Sequence, residues 1–127
     1  MKSIMLGIAS LLVLLAGPAH AQTLIESYVA HLSERDHFNS RGDRLRSAAA
    51  IIRQDRANFH RFGLRDPSDE SDGVFSVKSN RGRLERLLRR GRAAPGVVNR
   101  IVNGTPFIRV NVYRSASGQD FVEVLVE

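Results

Sequence analysis

The spacing of apolar positions changes from one segment of the chain to the next, and each change marks an element. An almost unbroken apolar run from Ile4 to Ala16 opens the sequence. Beyond it, Leu24, Ile25, Tyr28, Val29 and Leu32 recur at three- and four-residue intervals, which predicts a short helix over 23–33. Polar residues 34–39 lack a period and read as a connection. Ser40 followed by Asp43 has the form of a capping box with Asp in place of Glu. Leu45, Ala48, Ala49, Ile52 and Phe59 then share one stripe, so a long helix is expected over 41–62, closed by a left-handed Gly63 ahead of Leu64. Residues 66–73 hold turn formers and no large apolar side chain, the composition of a solvated surface loop. The segment 74–78 stays open between a short strand and the lead-in to the next helix. Ser79 or Asn80 caps a helix carrying Leu84, Leu87 and Leu88 and ending at Gly91, and Pro95 and Asn103-Gly104 bracket another carrying Val97, Val98, Ile101 and Val102.

From Pro106 the period drops to two. Ile108, Val110 and Val112 face one way, and Phe107, Arg109, Asn111 and Tyr113 the other. Val122, Val124 and Val126 continue the valine face if Val112 pairs with Val122, a register that leaves Ala116-Ser117-Gly118 as the loop, with Gly118 in its left-handed position. A lone hairpin is marginal in water, so its valine face needs a cover. The expected fold is α+β: about four helices packed on one face of a small C-terminal antiparallel β-hairpin, with 74–78 as the candidate third strand.

Lys2, the apolar run, the Gly17-Pro18 break and the small residues Ala19 and Ala21 together have the form of a bacterial signal peptide cut after Ala21. The run is shorter than the ~20 residues that span hydrocarbon, so no membrane span is expected in the mature form. Pro18 stands where the Cys of a lipoprotein box would be. The expected organisation is a cleaved leader, 1–21, and one small domain, 22–127, in the periplasm or outside the cell. The whole-chain hydrophobic content of 43% overstates the domain, because the leader holds a disproportionate share of it. A thin core follows, too small for a multi-domain enzyme. With no cysteine, disulfides and thiolate chemistry are excluded.

Metal and catalytic motifs are faint. His31 and His37 do not form the i, i+4 pair that shares zinc on a helix face. Asp66, Asp69, Glu70, Asp72 and Gly73 offer hard oxygen ligands, but aligning Gly73 with the EF-hand glycine puts serines at both terminal ligand positions. No metal or cofactor is expected. His60, between Phe59 and Phe62, reads as a partner for the helix dipole. No nucleophile elbow or phosphate loop is present. An enzyme would need a constellation assembled in space, and Asp36, His37, Asn39, His60 and Asp55 are the residues to watch.

Charge is the strongest departure from an ordinary domain. The formal net charge is +6, and apart from Lys78 every cation of residues 22–127 is arginine. Arg81, Arg83, Arg86, Arg89, Arg90 and Arg92 crowd around the single Glu85. On a helix, Leu84, Leu87 and Leu88 form an apolar stripe and the arginines take the other side. Guanidinium forks suit phosphate and carboxylate, although a charged helix face also serves plain solubility. Nucleic acid is disfavoured by the exported location and the lack of Trp platforms. The expected function is an exported, non-catalytic binding or envelope-associated protein whose Arg81–Arg92 cluster meets an anionic envelope component or an acidic protein. The competing expectation is a small hydrolase using Asp36, His37 and Asn39 with His60.

Overall fold

A computed structural model of the chain describes residues 22–127, and the leader expected over 1–21 lies outside them. In chain order the elements are β1 (Thr23–His31), a 3-10 turn (Glu34–His37), α1 (Ala48–His60), a second 3-10 turn (Val74–Ser76), α2 (Lys78–Arg81), α3 (Leu84–Arg90), α4 (Pro95–Asn103), β2 (Phe107–Arg114) and β3 (Asp120–Val126). The strands form one antiparallel sheet in the order β1-β2-β3. The α+β expectation holds, with the helices set against one face of the sheet.

The hairpin follows its local chemistry. Val112 pairs with Val122 and Val110 with Val124, and Gly118 turns the loop at φ 82°, where a side chain would be strained. Ile108, Val110, Val112, Val122 and Val124 are all buried, joined in one core by Tyr28, Ala30, Ile51, Ile52, Phe75, Leu84, Leu87 and Ile101. α4 lies between the expected Pro95 and Gly104, and α3 ends at Gly91. Of the two alternatives left open for 74–78, the structure has the helical lead-in, a 3-10 turn running into α2, and not a third strand; Gly82 lies in the corner that separates α2 from α3.

The third strand comes from the other end of the domain. Residues expected to form a helix over 23–33 form β1, paired from Thr23 with Arg114 to His31 with Phe107. Tyr28 and Ala30 enter the core, whereas Val29 turns to the opposite face beside Arg109. Pairing with the free side of β2 satisfies a full ladder of backbone groups, and Thr, Ile, Tyr and Val suit a pleated surface. A register shift between Leu24 and Glu26 breaks the simple alternation that would have announced a strand.

α1 also begins later than its stripe suggested. Asn39 Oδ1 accepts from the backbone N–H groups of Arg41 and Asp43, and Gly42 takes φ 82°, which holds this stretch in a loop. Ser47, not Ser40, caps the helix, accepting from Ala50 N–H at 3.2 Å. Past its C-terminus, Gly63 is left-handed at φ 66° as expected.

Both outer edges of the sheet are occupied. On β1, Glu70 Oε1 accepts from Val29 N–H at 2.6 Å and Asp69 Oδ1 from His31 N–H at 2.8 Å, while Glu70 N–H donates to Val29 C=O at 2.8 Å. On β3, Arg92 bridges Val122 and Val124 through its own backbone at 3.1 and 2.9 Å. The acidic segment 66–73 is a largely exposed surface loop, as expected, but its carboxylates are not free. Its carboxylates complete the edge of β1, and Asp72 is buried.

Candidate anion-binding groove

At 100° per residue α1 divides into two arcs. Ala48, Ile51, Ile52, Asp55, Arg56, Asn58 and Phe59 are buried, and Ala49, Ala50, Arg53, Gln54 and Ala57 lie on the other side. That outer arc is one wall of a groove of about 480 Å³. The α2–α3 corner, with Arg81 and Glu85, forms the second wall, and Arg41, Arg61 and Phe62 close its ends. Among the described residues neither Arg53 nor Arg61 has an ion-pair partner. Arg41 is 4.0 Å from Asp43 with both side chains mostly exposed, a geometry worth little.

Of the arginines singled out in the sequence, only Arg81 lines this groove. Arg83, Arg86, Arg89 and Arg90 are exposed while Leu84 and Leu87 are buried beneath them, the division the helical spacing implied. Arg89 meets Glu85 at 2.9 Å, and Arg92 is exposed. Arg81 does not join the exposed face. It is 7% exposed, and its Nη1 donates to the carbonyls of Phe75 and Ser76, so it braces the second 3-10 turn while lining the groove.

The cations stand out because the carboxylates are engaged elsewhere. Glu26 accepts from Gly73 and Val74 N–H, Asp69 and Glu70 cap β1, and Asp66 meets Arg35 and Ser33. Under α1, the Arg56 guanidinium is fully buried and donates to Asp55 Oδ2 at 2.7 Å, Asp72 Oδ1 at 2.9 Å and Glu70 C=O at 2.9 Å. It also lies over the rings of Tyr28 and Phe59, at 4.2 and 4.7 Å. Burial alone would lower the Arg56 pKa, but the Tyr28 oxygen, Asp55 and Asp72 carry it above its ordinary value. Burial raises the Asp55 carboxyl well above the usual range, and Arg56 only partly restores it. Burial likewise pushes the Tyr28 hydroxyl up.

The hydrolase candidates are tied into the fold in separate places. Asp36 accepts from Asn58 Nδ2 at 2.8 Å and from Ser33 N–H at 3.0 Å, and burial raises its pKa against those bonds. His37 is 1% exposed, with Nδ1 2.8 Å from Ser33 C=O and Nε2 2.7 Å from Ile101 C=O, so both ring nitrogens face main-chain acceptors. Asn39 serves the 39–43 loop. His60 Nε2 lies 2.7 Å from Asp72 Oδ1, the same oxygen that accepts from Arg56. These side chains do not converge on one cleft. Among the described residues no group of three or more potential ligands could hold a metal ion, and no helix is long and apolar enough to cross a membrane.

Comparison with family models, with curated proteins and with solved structures finds none similar to this chain. The groove therefore rests on its own geometry. Arg41, Arg53 and Arg61 were missed in the sequence because they stand outside the dense Arg81–Arg92 cluster and lie 8 to 20 positions apart. The signal that exposes Arg53 and Arg61 is angular: Arg53, Ala57 and Arg61 fall within about 80° of one another on a helical projection, a side the large apolar residues avoid.

Proposed function

We propose that this is an exported, non-catalytic binding module that holds an anionic partner in the groove between α1 and the α2–α3 corner, with the exposed arginines of α3 widening the attractive field. The observation that carries this reading is that Arg53 and Arg61 face one groove with no ion-pair partner among the described residues, its lining carboxylate Glu85 being paired with Arg89, while the acidic side chains beside β1 and α1 are bound by the fold itself. A guanidinium with free donors in a partly enclosed site favours carboxylate or phosphate over water more than one on an open surface does. Export rests on the leader-like sequence of residues 1–21.

Two measurements test the proposal. Intact mass of the periplasmic or secreted product should correspond to a chain starting at Gln22, and a product retaining Leu11–Leu15 overturns export. Binding of the mature chain to lipopolysaccharide, anionic vesicles and an acidic polypeptide should weaken with salt, because the Debye length falls from about 10 Å at 0.1 M to about 3 Å at 1 M. Arg53→Gln with Arg61→Gln should lose affinity for whichever of them binds. Arg100→Glu changes net charge equally on exposed α4 and serves as the control. Equal losses in the two variants reduce the effect to overall charge and sink the groove.

A further inference from the structure

We infer that the groove is built for an acidic protein segment that carries an apolar side chain between its carboxylates, rather than for a phosphate polymer. This deepens the anionic-partner reading and rests on it. The rim is cationic through Arg41, Arg53 and Arg61, and the floor between them is mixed: Ala49, Ala50 and Ala57 of α1 present methyl groups beside Ser47 and Gln54, and Phe62 at the end is 44% exposed. A phosphate chain neutralises the rim and leaves that floor wet. A peptide covers both, because an inserted Leu or Phe removes the floor from water while flanking carboxylates take guanidinium forks.

Three details set what such a segment looks like. Arg61 lies over the Phe62 ring at 5.0 Å, which holds one guanidinium against an apolar surface before any partner arrives. Arg53 and Arg61 are eight residues apart, about 12 Å along the helix axis at 1.5 Å per residue. Matching carboxylates sit about four residues apart in an extended peptide or about eight apart in a helical one. Glu85 lines the opposite wall and pairs with Arg89, so the partner's face toward α3 is free of carboxylates.

The test uses synthetic peptides in which two glutamates flank a leucine or phenylalanine at separations of three to eight residues, with tripolyphosphate and phosphatidylglycerol vesicles as competing probes. Amide chemical shifts and titration calorimetry on the mature chain read binding at equal ionic strength. Peptides spaced by four or eight should bind, with shifts confined to residues 39–62 and 81–85. Changing the central apolar residue to serine, or Arg53 or Arg61 to Gln, should each weaken binding about tenfold, the equivalent of one charge-assisted hydrogen bond or a small apolar burial. If tripolyphosphate or vesicles bind in an Arg53- and Arg61-dependent way and no peptide does, the peptide inference is wrong and the anionic groove stands. If peptides bind but serine replaces the apolar residue without loss, the floor plays no part and the inference is also wrong. If no probe binds at low salt, the underlying reading fails with it.

Discussion

Replacing Arg56 by Met is the sharpest perturbation of this fold, because it keeps an unbranched side chain and removes only the charge and its donors. The guanidinium is fully buried and satisfies two buried carboxylates and one carbonyl. Breaking a buried ion pair from one side costs about 3–5 kcal/mol, since the orphaned carboxylates lose their partner without regaining water. A domain of this size has a total stability of about 5–15 kcal/mol, so the variant should stand near the edge of folding. With a urea slope of about 1.5 kcal/mol/M, the unfolding midpoint should fall by about 2–3 M. The companion variant adds Asp55→Asn and Asp72→Asn, which removes the orphaned charges, and it should recover part of the loss. Urea unfolding followed by circular dichroism reads both. A single variant within 1 kcal/mol of the parent, or a triple variant no more stable than the single one, refutes the claim that Arg56 holds these carboxylates.

Three further outcomes follow from the same interior. Gly91→Ala places a Cβ 1.6 Å from the Val122 carbonyl oxygen, so the Arg92 bridge to β3 must break, and thermal unfolding should shift down sharply; an unchanged midpoint means the bridge does not form in solution. Val110→Asp puts an unpaired carboxylate at a fully buried position and should remove several kcal/mol and cooperative unfolding with it. Asp36 and Asp55 have folded-state pKa values raised by burial, so the stability they contribute is fully present below the unfolded value of about 4 and is lost as pH rises through the raised folded values. The parent should therefore gain stability over Asp55→Asn as pH falls from 7 toward 4; a gap that stays flat or moves the other way in urea titrations counts against the assignment.

What the sequence displays is what local chemistry decides. The hairpin was legible to its register because alternation and the Gly118 turn lie within one short stretch, and α4 because Pro95 and Gly104 mark its ends. β1 was hidden because its ladder partner stands at the far end of the domain: Leu24, Ile25, Tyr28, Val29 and Leu32 fit a helical period as well as a two-sided strand, and only the vacant side of β2 decides between them. Asp69, Glu70 and Asp72 looked like turn residues for the same reason, since the N–H groups and the guanidinium they bind are distant in sequence. Of the site, the exposed α3 arginines were visible as a cluster. Arg53 and Arg61 were not, because a groove exists only once α1 and the α2–α3 corner pack together.

The carboxylates on the outer edge of β1 bear on how this chain avoids self-association. An unprotected sheet edge templates strands from other molecules and seeds fibrils. Here one rim is guarded by Asp69 and Glu70 side chains and the other by the Arg92 backbone. Neither guard belongs to the sheet, so each is in place only after the segment carrying it has docked. A molecule that loses only these two carboxylates keeps Asp72 on Arg56, and with it the three strands and the valine core, yet offers the Val29 and His31 amides to a neighbour. Losses at Asp69 and Glu70 would thus register first as concentration-dependent fibril growth, before any fall in the unfolding temperature.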